Sequence, residues 1–335
     1  MRILVTGGAG YIGSHLCKAL AKAGYLPIVY DNLVYGHRWA VKWGPLEEGD
    51  VTDRGQLNEV FSHYKPEAVL HFAGYAYVGE SVENPGKYYR NNVVGSLALV
   101  EAMRDFHVDN IIFSSTCSTY GIPNTIPIAE DHAQAPINPY GASKLMIERI
   151  LQDFGRAYGI RSVFLRYFNA AGADIEGDLG EEHEPETHLI PLLIKVGLGE
   201  IAGVKVFGTD YPTPDGTPIR DYIHVTDLAD AHILALRYLL EGRESGAFNL
   251  GTGRGHSVRE VISAAERIIG RPIHSENAPR RPGDPPVLIA DSTRARKLLD
   301  WSPRYSDLHG IVETAFRWAT RQGKSSGFKD RSDTE

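Results

Sequence analysis

The 335-residue chain is 42% hydrophobic and 23% charged, with a formal net charge of −7, a composition ordinary for a globular protein. That balance argues against nucleic acid or an anionic membrane surface as partner, while a few local arginines could still hold a small anion. Cys17 and Cys117 are the only cysteines. They give no disulfide framework, no run approaches the ~18 apolar residues of a membrane helix, and a core strand at the very start leaves no place for a signal peptide. A cytoplasmic location is expected.

The first element is a short buried strand, Ile3-Leu4-Val5, running into Gly7, Gly10 and Gly13. A helix over Tyr11–Ala23 follows, with Ile12, Leu16, Ala19, Leu20 and Ala23 at helical spacing. Gly7 permits a tight turn, Gly10 lets the backbone approach a pyrophosphate, and Gly13 lets helix pack on strand. A diphosphate would then sit on free N–H groups at the helix start. The next strand, Leu26–Tyr30, ends in Asp31. A carboxylate there accepts hydrogen bonds from both ribose hydroxyls and repels a 2′-phosphate, which favours NAD over NADP. The competing reading, a glycine-rich turn beside a surface Asp, does not explain the strand before, the helix after and the acid at the second strand end.

Further along, Asp50 reads either as a partner for an adenine amine or as a plain helix cap, and a helix covers Arg54–Tyr64. Ala68–Phe72 is a strand whose end, Phe72-Ala73-Gly74, is small enough for a cofactor to lie on backbone. A helix over Tyr88–Arg104 carries apolar residues round much of its surface, the mark of a face covered by another subunit. The strand Asn110–Ser115 leads into Thr116 and a proline-punctuated loop. Asn138-Pro139 then starts a helix, Tyr140–Tyr158, as N-cap and first helical residue. Arg161–Tyr167 is the next strand. This alternation predicts an α/β fold, a Rossmann-type doubly wound parallel sheet with a smaller, partly discontinuous α/β substrate-binding domain. The expected division gives residues 1–175 and about 221–255 to the NAD-binding domain. About 176–220 and 256–320 go to the substrate domain, and 321–335 form a disordered tail.

Tyr140 and Lys144 lie one turn apart on one helix face. A cationic Lys beside a phenol, together with an oxidised nicotinamide, lowers the phenol's pKa from ~10 toward the range of a base. Taken alone, the pair reads equally as an aromatic packed on a lysine stem. His71, His224 and His232 read as structural histidines, and Cys117 as a small residue packed at a strand end. The Glu181–Glu186 run reads as a solvated loop, and no metal-ligand spacing stands out, so no metal is expected.

The glycine loop with Asp31, the strand-end Ser114-Ser115-Thr116 and Tyr140-x-x-x-Lys144 together resemble the extended short-chain dehydrogenase/reductase family over about residues 1–320. Phe72-Ala-Gly, Val78-Gly-Glu-Ser, Tyr88-Tyr-Arg-Asn-Asn-Val, Arg166-Tyr-Phe-Asn-Ala-Ala-Gly, Phe207-Gly-Thr-Asp-Tyr-Pro and Arg220-Asp-Tyr-Ile-His-Val narrow the resemblance to the UDP-glucose (UDP-galactose) 4-epimerases. The resemblance implies Tyr140 as catalytic base, Lys144 on the nicotinamide ribose, and Thr116 on the sugar's 4-oxygen. It implies Tyr11, Ile12, Asp31, Asn32, Asp50, Val51, Phe72, Asn91 and Phe168 around NAD. Asn169, His188, Leu189, Phe207, Arg220, Arg281 and Asp284 would hold the UDP-sugar, with Leu288 beside its 2-position. It also implies a homodimer joined by the helices bearing Asn91–Arg104 and Tyr140–Tyr158.

Two positions depart from the family pattern. Ala76 stands where many members have a Lys, and Leu288 is neither the large Tyr nor the small residue seen at that gate. A related 4,6-dehydratase would need an Asp-Glu pair after Thr116, where this chain has Cys117-Ser118. Epimerases of UDP-N-acetylglucosamine or UDP-pentoses remain alternatives. So does a non-catalytic NAD sensor, which has no need of Tyr140, Lys144 and Thr116 together.

Overall fold

In the computed structural model, which describes residues 1–281 and 283–326, the apolar runs of the first half become parallel strands. In chain order these elements are β1 (Arg2–Thr6), α1 (Tyr11–Lys22), β2 (Leu26–Asp31), β3 (Leu46–Glu48), α2 (Arg54–Tyr64), β4 (Ala68–His71), α3 (Val78–Glu83), α4 (Pro85–Tyr88), α5 (Gly95–Asp105), β5 (Asn110–Thr116), α6 (Pro139–Tyr158) and β6 (Arg161–Tyr167). The second half contributes β7 (Asn169–Ala171), α7 (Leu189–Leu198), β8 (Val204–Phe207), β9 (Ile219–His224), α8 (Val225–Leu240), β10 (Gly246–Leu250), β11 (Gly255–Ser257), α9 (Val258–Ile269), β12 (Ser275–Ala278), β13 (Val287–Leu288), α10 (Thr293–Leu298) and α11 (Leu308–Ser326).

Seven strands form one sheet in the order β10-β6-β5-β4-β1-β2-β3, every pair parallel. The chain runs outward from β1 to β3, then returns to β4 on β1's other side. Between β1 and β4 the order reverses, and ligands of open α/β sheets bind at such a switch point. Because strand residues alternate, Ile3 and Val5 pack on one face with Leu16, Leu20, Leu228 and Leu236 of α1 and α8. Leu4 points to the other face, against Phe61, Leu99, Met103, Ile147 and Leu151 of α2, α5 and α6.

Where sequence periodicity predicts one helix over Tyr88–Arg104, the chain instead inserts a π-helical turn, Tyr89–Val94, between α4 and α5. The wider turn carries Asn92, whose amide accepts from Tyr75 N at 2.8 Å and donates to Tyr75 O at 3.0 Å and to Ser143 Oγ at 3.1 Å. Such single-turn bulges are frequent at functional sites.

The second sheet is built on β9, which pairs with β7 and β13 in parallel and with β11 antiparallel. β8 and β12 form a separate parallel pair. Helices α7, α9 and α11 cover these strands through Leu193, Ile194, Val261, Ala265, Ile311 and Val312. Only Phe168 separates β6 of the large sheet from β7 of the small one. Residues 221–224 were expected in the NAD-binding domain, yet they lie in β9 of the second sheet, while α8 and β10 do join the large one. Conversely Ala295, Leu299 and Trp301, expected with the substrate domain, pack in the large core, where Trp301 Nε1 donates to Asp227 O at 3.0 Å. Burial of a large indole decides where that segment sits, whatever its distance along the chain. Helix α11 continues past Arg321, where the tail was expected to begin, to Ser326; residues 327–335 lie outside the described residues. Among the described residues, no helix is long and apolar enough to cross a membrane.

Candidate active site

The N-terminal end of α6 is set by Asn138, whose side chain accepts from Gly141 N at 2.8 Å, with Pro139 at the first helical position. That start places Tyr140 and, one turn on, Lys144 against the carboxyl end of β5. Lys144 Nζ donates to Ser114 O at 2.9 Å and lies 6.0 Å from the centre of the Tyr140 ring. The Thr116 hydroxyl accepts from Ser118 N at 3.1 Å and lies beside the Tyr140 phenol, and Thr116 stands in register with Tyr167 on β6. Tyr140, Lys144 and Thr116 therefore converge.

Burial dominates the electrostatics of this pair. Burial pushes Tyr140 well above its ordinary value, Tyr167 adds to this, and the Thr116 hydrogen bond only partly opposes it. Burial also draws Lys144 down to about 8, against the pull of Glu148. The lowering expected from Lys144 together with an oxidised nicotinamide has to overcome this desolvation.

Below this site lies a buried network that sequence reading missed. Arg166 binds Glu148 through two bonds, Nε to Oε1 at 2.9 Å and Nη2 to Oε2 at 2.6 Å, with 5% and 1% of the side chains exposed. Ser115 Oγ donates to Glu148 Oε1, and Arg166 Nη1 donates to Tyr120 OH, which donates on to Asn249 Oδ1. The clue was there: Glu148 follows Lys144 by one turn and Tyr140 by two on the same helix face.

The glycine loop fits a dinucleotide. A Cβ on Gly7 would lie 2.6 Å from Ala73 N, and one on Gly13 would lie 2.2 Å from Gly7 O. The ends of β1 and β4 and the start of α1 are therefore as close as backbone allows. Gly10 is the N-cap of α1, and no side chain caps that helix, which leaves its start for a diphosphate. Asp31 is fixed by accepting from Ala9 N at 3.0 Å and Leu33 N at 2.9 Å. Asn32 Nδ2 donates to Asp50 Oδ2 at 2.8 Å. Tyr11 OH donates to Gly172 O at 2.6 Å, while Ile12 and Phe72 lie against the large core. Gly74 lies beside Lys144 Nζ and Asn92. Val51 packs against Gly95, and Asn91 donates to the Asn92 amide at 2.9 Å.

The residues expected around the UDP-sugar fall into separate groups. Arg220 on β9 pairs with Asp284 and also donates to Pro285 O at 2.9 Å. Leu288 stands in register with Arg220 and packs against a small cluster of Cys117, Tyr120, Ile128, Phe168 and Ala290. That cluster joins the second sheet to the Thr116 side of the first. Arg281 lies over the Phe207 ring at 4.1 Å. Asn169 opens β7, and Leu189 begins α7.

His188 is held elsewhere, by Glu181 at 2.8 Å and Glu186 at 3.0 Å. Glu182, Glu184 and Pro185 are exposed, as in the solvated loop expected, but the Glu181 and Glu186 side chains are only 6% and 3% exposed. The reason is neutralisation by imidazoles. Burial alone would lower His183 and His188, but the two carboxylates raise them to about 9 and about 10.

The bland readings of other residues fit their surroundings. His71 bonds Thr6 and Ser96 through its two ring nitrogens, and His224 bonds Thr314 and Thr226. His232 Nδ1 bonds Leu228 O at 2.7 Å. Burial pushes the Cys117 thiol up to about 12, where it is inert. Also missed was Lys18, buried on α1 and clamped by Asp174 at 2.6 Å, Asp178 at 2.7 Å and Glu176 at 2.8 Å.

The family model described as the NAD dependent epimerase/dehydratase family matches residues 3–251. The chain belongs to that family. It is 56% identical over 322 residues to the UDP-glucose 4-epimerase of Rhizobium meliloti (strain 1021), covering 96% of this chain and 98% of the relative. Among solved structures it is similar to the UDP-glucose 4-epimerase of Brucella ovis in complex with NAD, at 54% identity and a TM-score of 0.92, covering 94% of this chain and 97% of that one. It is also similar to the enzyme of Bifidobacterium longum in complex with NAD+ and UDP, at 40% identity and a TM-score of 0.91, covering 96% and 99%.

Proposed function

We propose that this enzyme inverts C4 of a UDP-hexose, interconverting UDP-glucose and UDP-galactose with NAD as resident cofactor. The observation that carries the reading is the convergence of Tyr140, Lys144 and Thr116, with Leu288 and Arg220 of the second sheet reached through the Cys117–Phe168 cluster. The relatives named above carry the same activity in their names, and two of the structures hold NAD.

When bound, NAD supplies the acceptor and donor of the hydride at C4. Gly7, Gly10, Tyr11, Ile12 and Gly13 would hold its diphosphate, Asp31 with Asn32 its adenosine ribose, and Asp50 its adenine. Val51, Phe72, Ala73, Gly74, Asn91 and Phe168 would line the rest. Tyr140 takes the proton of the 4-hydroxyl and returns it, Thr116 hydrogen-bonds the 4-oxygen, and Lys144 holds the nicotinamide ribose. The 4-keto sugar turns its other face before reduction, so the net reaction consumes no cofactor. Asn169, His188, Leu189, Phe207, Arg220, Arg281 and Asp284 would hold the nucleotide and sugar, the arginines by pairing with the diphosphate.

In this reading the large sheet forms the NAD-binding domain and the β9-centred sheet the UDP-sugar domain. A homodimer is proposed through α5 and α6 and the π turn between α4 and α5. There Val94 is 52% and Met146 46% exposed, beside Tyr89 and Val93. Two unpaired buried cysteines fit a cytoplasmic location.

The test is incubation of the purified protein with UDP-galactose and no added NAD, followed by separation of the sugar nucleotides. UDP-glucose should accumulate to equilibrium. Tight NAD binding without turnover would instead make the protein a non-catalytic NAD sensor.

A further inference from the structure

We propose that Glu181, His183, Glu186 and His188 form a binding site for one divalent transition-metal ion, with Zn2+ the best chemical match. The four side chains come from the loop between β7 and α7. Each offers a ligand atom, and these atoms all lie within 4.8 Å of one another. Two imidazoles and two carboxylates are donors that Zn2+ accepts, and together they carry the charge that balances a dication.

The spacing supports a shared ion. His188 Nδ1 lies 2.8 Å from Glu181 and 3.0 Å from Glu186, and His183 Nδ1 lies 3.2 Å and 3.8 Å from the same two carboxylates. Bonds of about 2.0–2.2 Å in a tetrahedron place donors about 3.3–3.6 Å apart, a value these contacts bracket.

A second observation is independent of the spacing. His183 Nδ1 is buried without a hydrogen-bond partner, although carboxylate oxygens stand close to it. A buried nitrogen left in that state normally demands an explanation, and a metal ion between the donors supplies one. Among the described residues neither Glu181 nor Glu186 pairs with a Lys or Arg. The nearby acidic trio of Asp174, Glu176 and Asp178 makes the contrast, because Lys18 already fills its centre.

Four protein ligands make a closed, structural site. It would tie down a loop that rests on the cofactor side of the molecule. His37 Nε2 meets Glu182 O at 3.0 Å, Tyr77 OH donates to Pro185 O at 3.1 Å, and the His183 ring lies 6.3 Å edge-on from Tyr11. His188 gives the cluster only Nδ1, so Nε2 stays available to the substrate. Ligation requires both imidazoles neutral, so uptake releases protons and strengthens as pH rises.

The experiment uses the full-length protein, dialysed against a chelator and then titrated with Zn2+ and with Co2+. One equivalent per chain is expected, with proton release into weak buffer and the intense visible absorption of four-coordinate Co2+. His183→Ala and Glu181→Gln should each lower Zn2+ affinity at least about tenfold, with the far-ultraviolet circular dichroism unchanged. X-ray absorption at the zinc edge of the wild-type protein needs no variant and should count two imidazole nitrogens and two carboxylate oxygens. No stoichiometric uptake would mean that the four groups form only an ion-pair cluster, and the proposal would fall. Six-coordinate Co2+, or a zinc spectrum without imidazole scattering, would overturn it equally.

Discussion

Leu288 and Arg220 stand directly across from each other on adjacent parallel strands, β13 and β9. One backbone pairing thus joins the proposed diphosphate anchor to the proposed gate of the sugar pocket. Leu288 packs at the same time on Cys117 and Phe168, so its bulk is fixed in place. An N-acetyl group at the sugar's 2-position needs a cavity, and overfilling a packed site costs ~1–3 kcal/mol. UDP-glucose and UDP-galactose should be the main pair, with UDP-N-acetylglucosamine a poor but detectable substrate. Leu288→Gly should raise kcat/KM for the N-acetyl sugar, and Leu288→Tyr should suppress it while sparing UDP-galactose. If neither variant moves that ratio, Leu288 is not the gate.

Arg220→Ala should raise KM for the UDP-sugar while leaving the Kd for NAD unchanged. A charge-assisted hydrogen bond is worth ~1.5–3 kcal/mol, about ten- to a hundredfold in affinity. The variant also frees Asp284 from its ion pair, which adds repulsion toward the same phosphates. Equal loss of both ligands would show instead that Arg220 holds the second sheet together.

Tyr140→Phe removes one oxygen from a buried site and nothing else. Turnover should fall by at least about a hundredfold, the lower end of what a positioned acid–base group contributes. Binding of NAD and of UDP, measured by calorimetry, should change little. Near-normal kcat would remove Tyr140 from the proton transfer.

Asp31→Ala should weaken NAD and narrow its advantage over NADP, because the carboxylate both accepts from ribose and repels a 2′-phosphate. Its two backbone hydrogen bonds, from Ala9 and Leu33, hold it in position. Competitive binding of the two cofactors to the nucleotide-free protein reads the effect, and an unchanged ratio would move the ribose site elsewhere.

Glu148→Ala should act on stability. It leaves the Arg166 guanidinium buried without its partner, a change that typically costs ~3–5 kcal/mol. Guanidinium unfolding followed by circular dichroism should show the midpoint fall accordingly. A loss below about 1 kcal/mol would mean that water or Tyr120 compensates the charge.

Much of this was legible because the signals are local. Strand and helix periods, the glycines at the first turn and the Asn138-Pro139 start of α6 each specify their own element. What could not be read depends on partners far along the chain. Trp301 reaches the large core through space, and β9 takes its sheet from β7, β11 and β13. Glu181 and Glu186 are withdrawn from solvent because His183 and His188 fold back onto them. The π turn at Tyr89–Val94 presents Asn92 to Tyr75 and Ser143, and no apolar period announces it.

Phe168 is the single residue between a strand of one sheet and a strand of the other. A crossing so short is a seam, with no slack to act as a hinge. The ladders that hold its two flanking strands, β6–β10 and β7–β9, each lie wholly within one sheet, so any relative movement of the sheets there falls on the backbone of this one residue. Phe168 also belongs to the cluster on which Leu288 leans, so a shift at the seam would be felt directly at the proposed sugar gate.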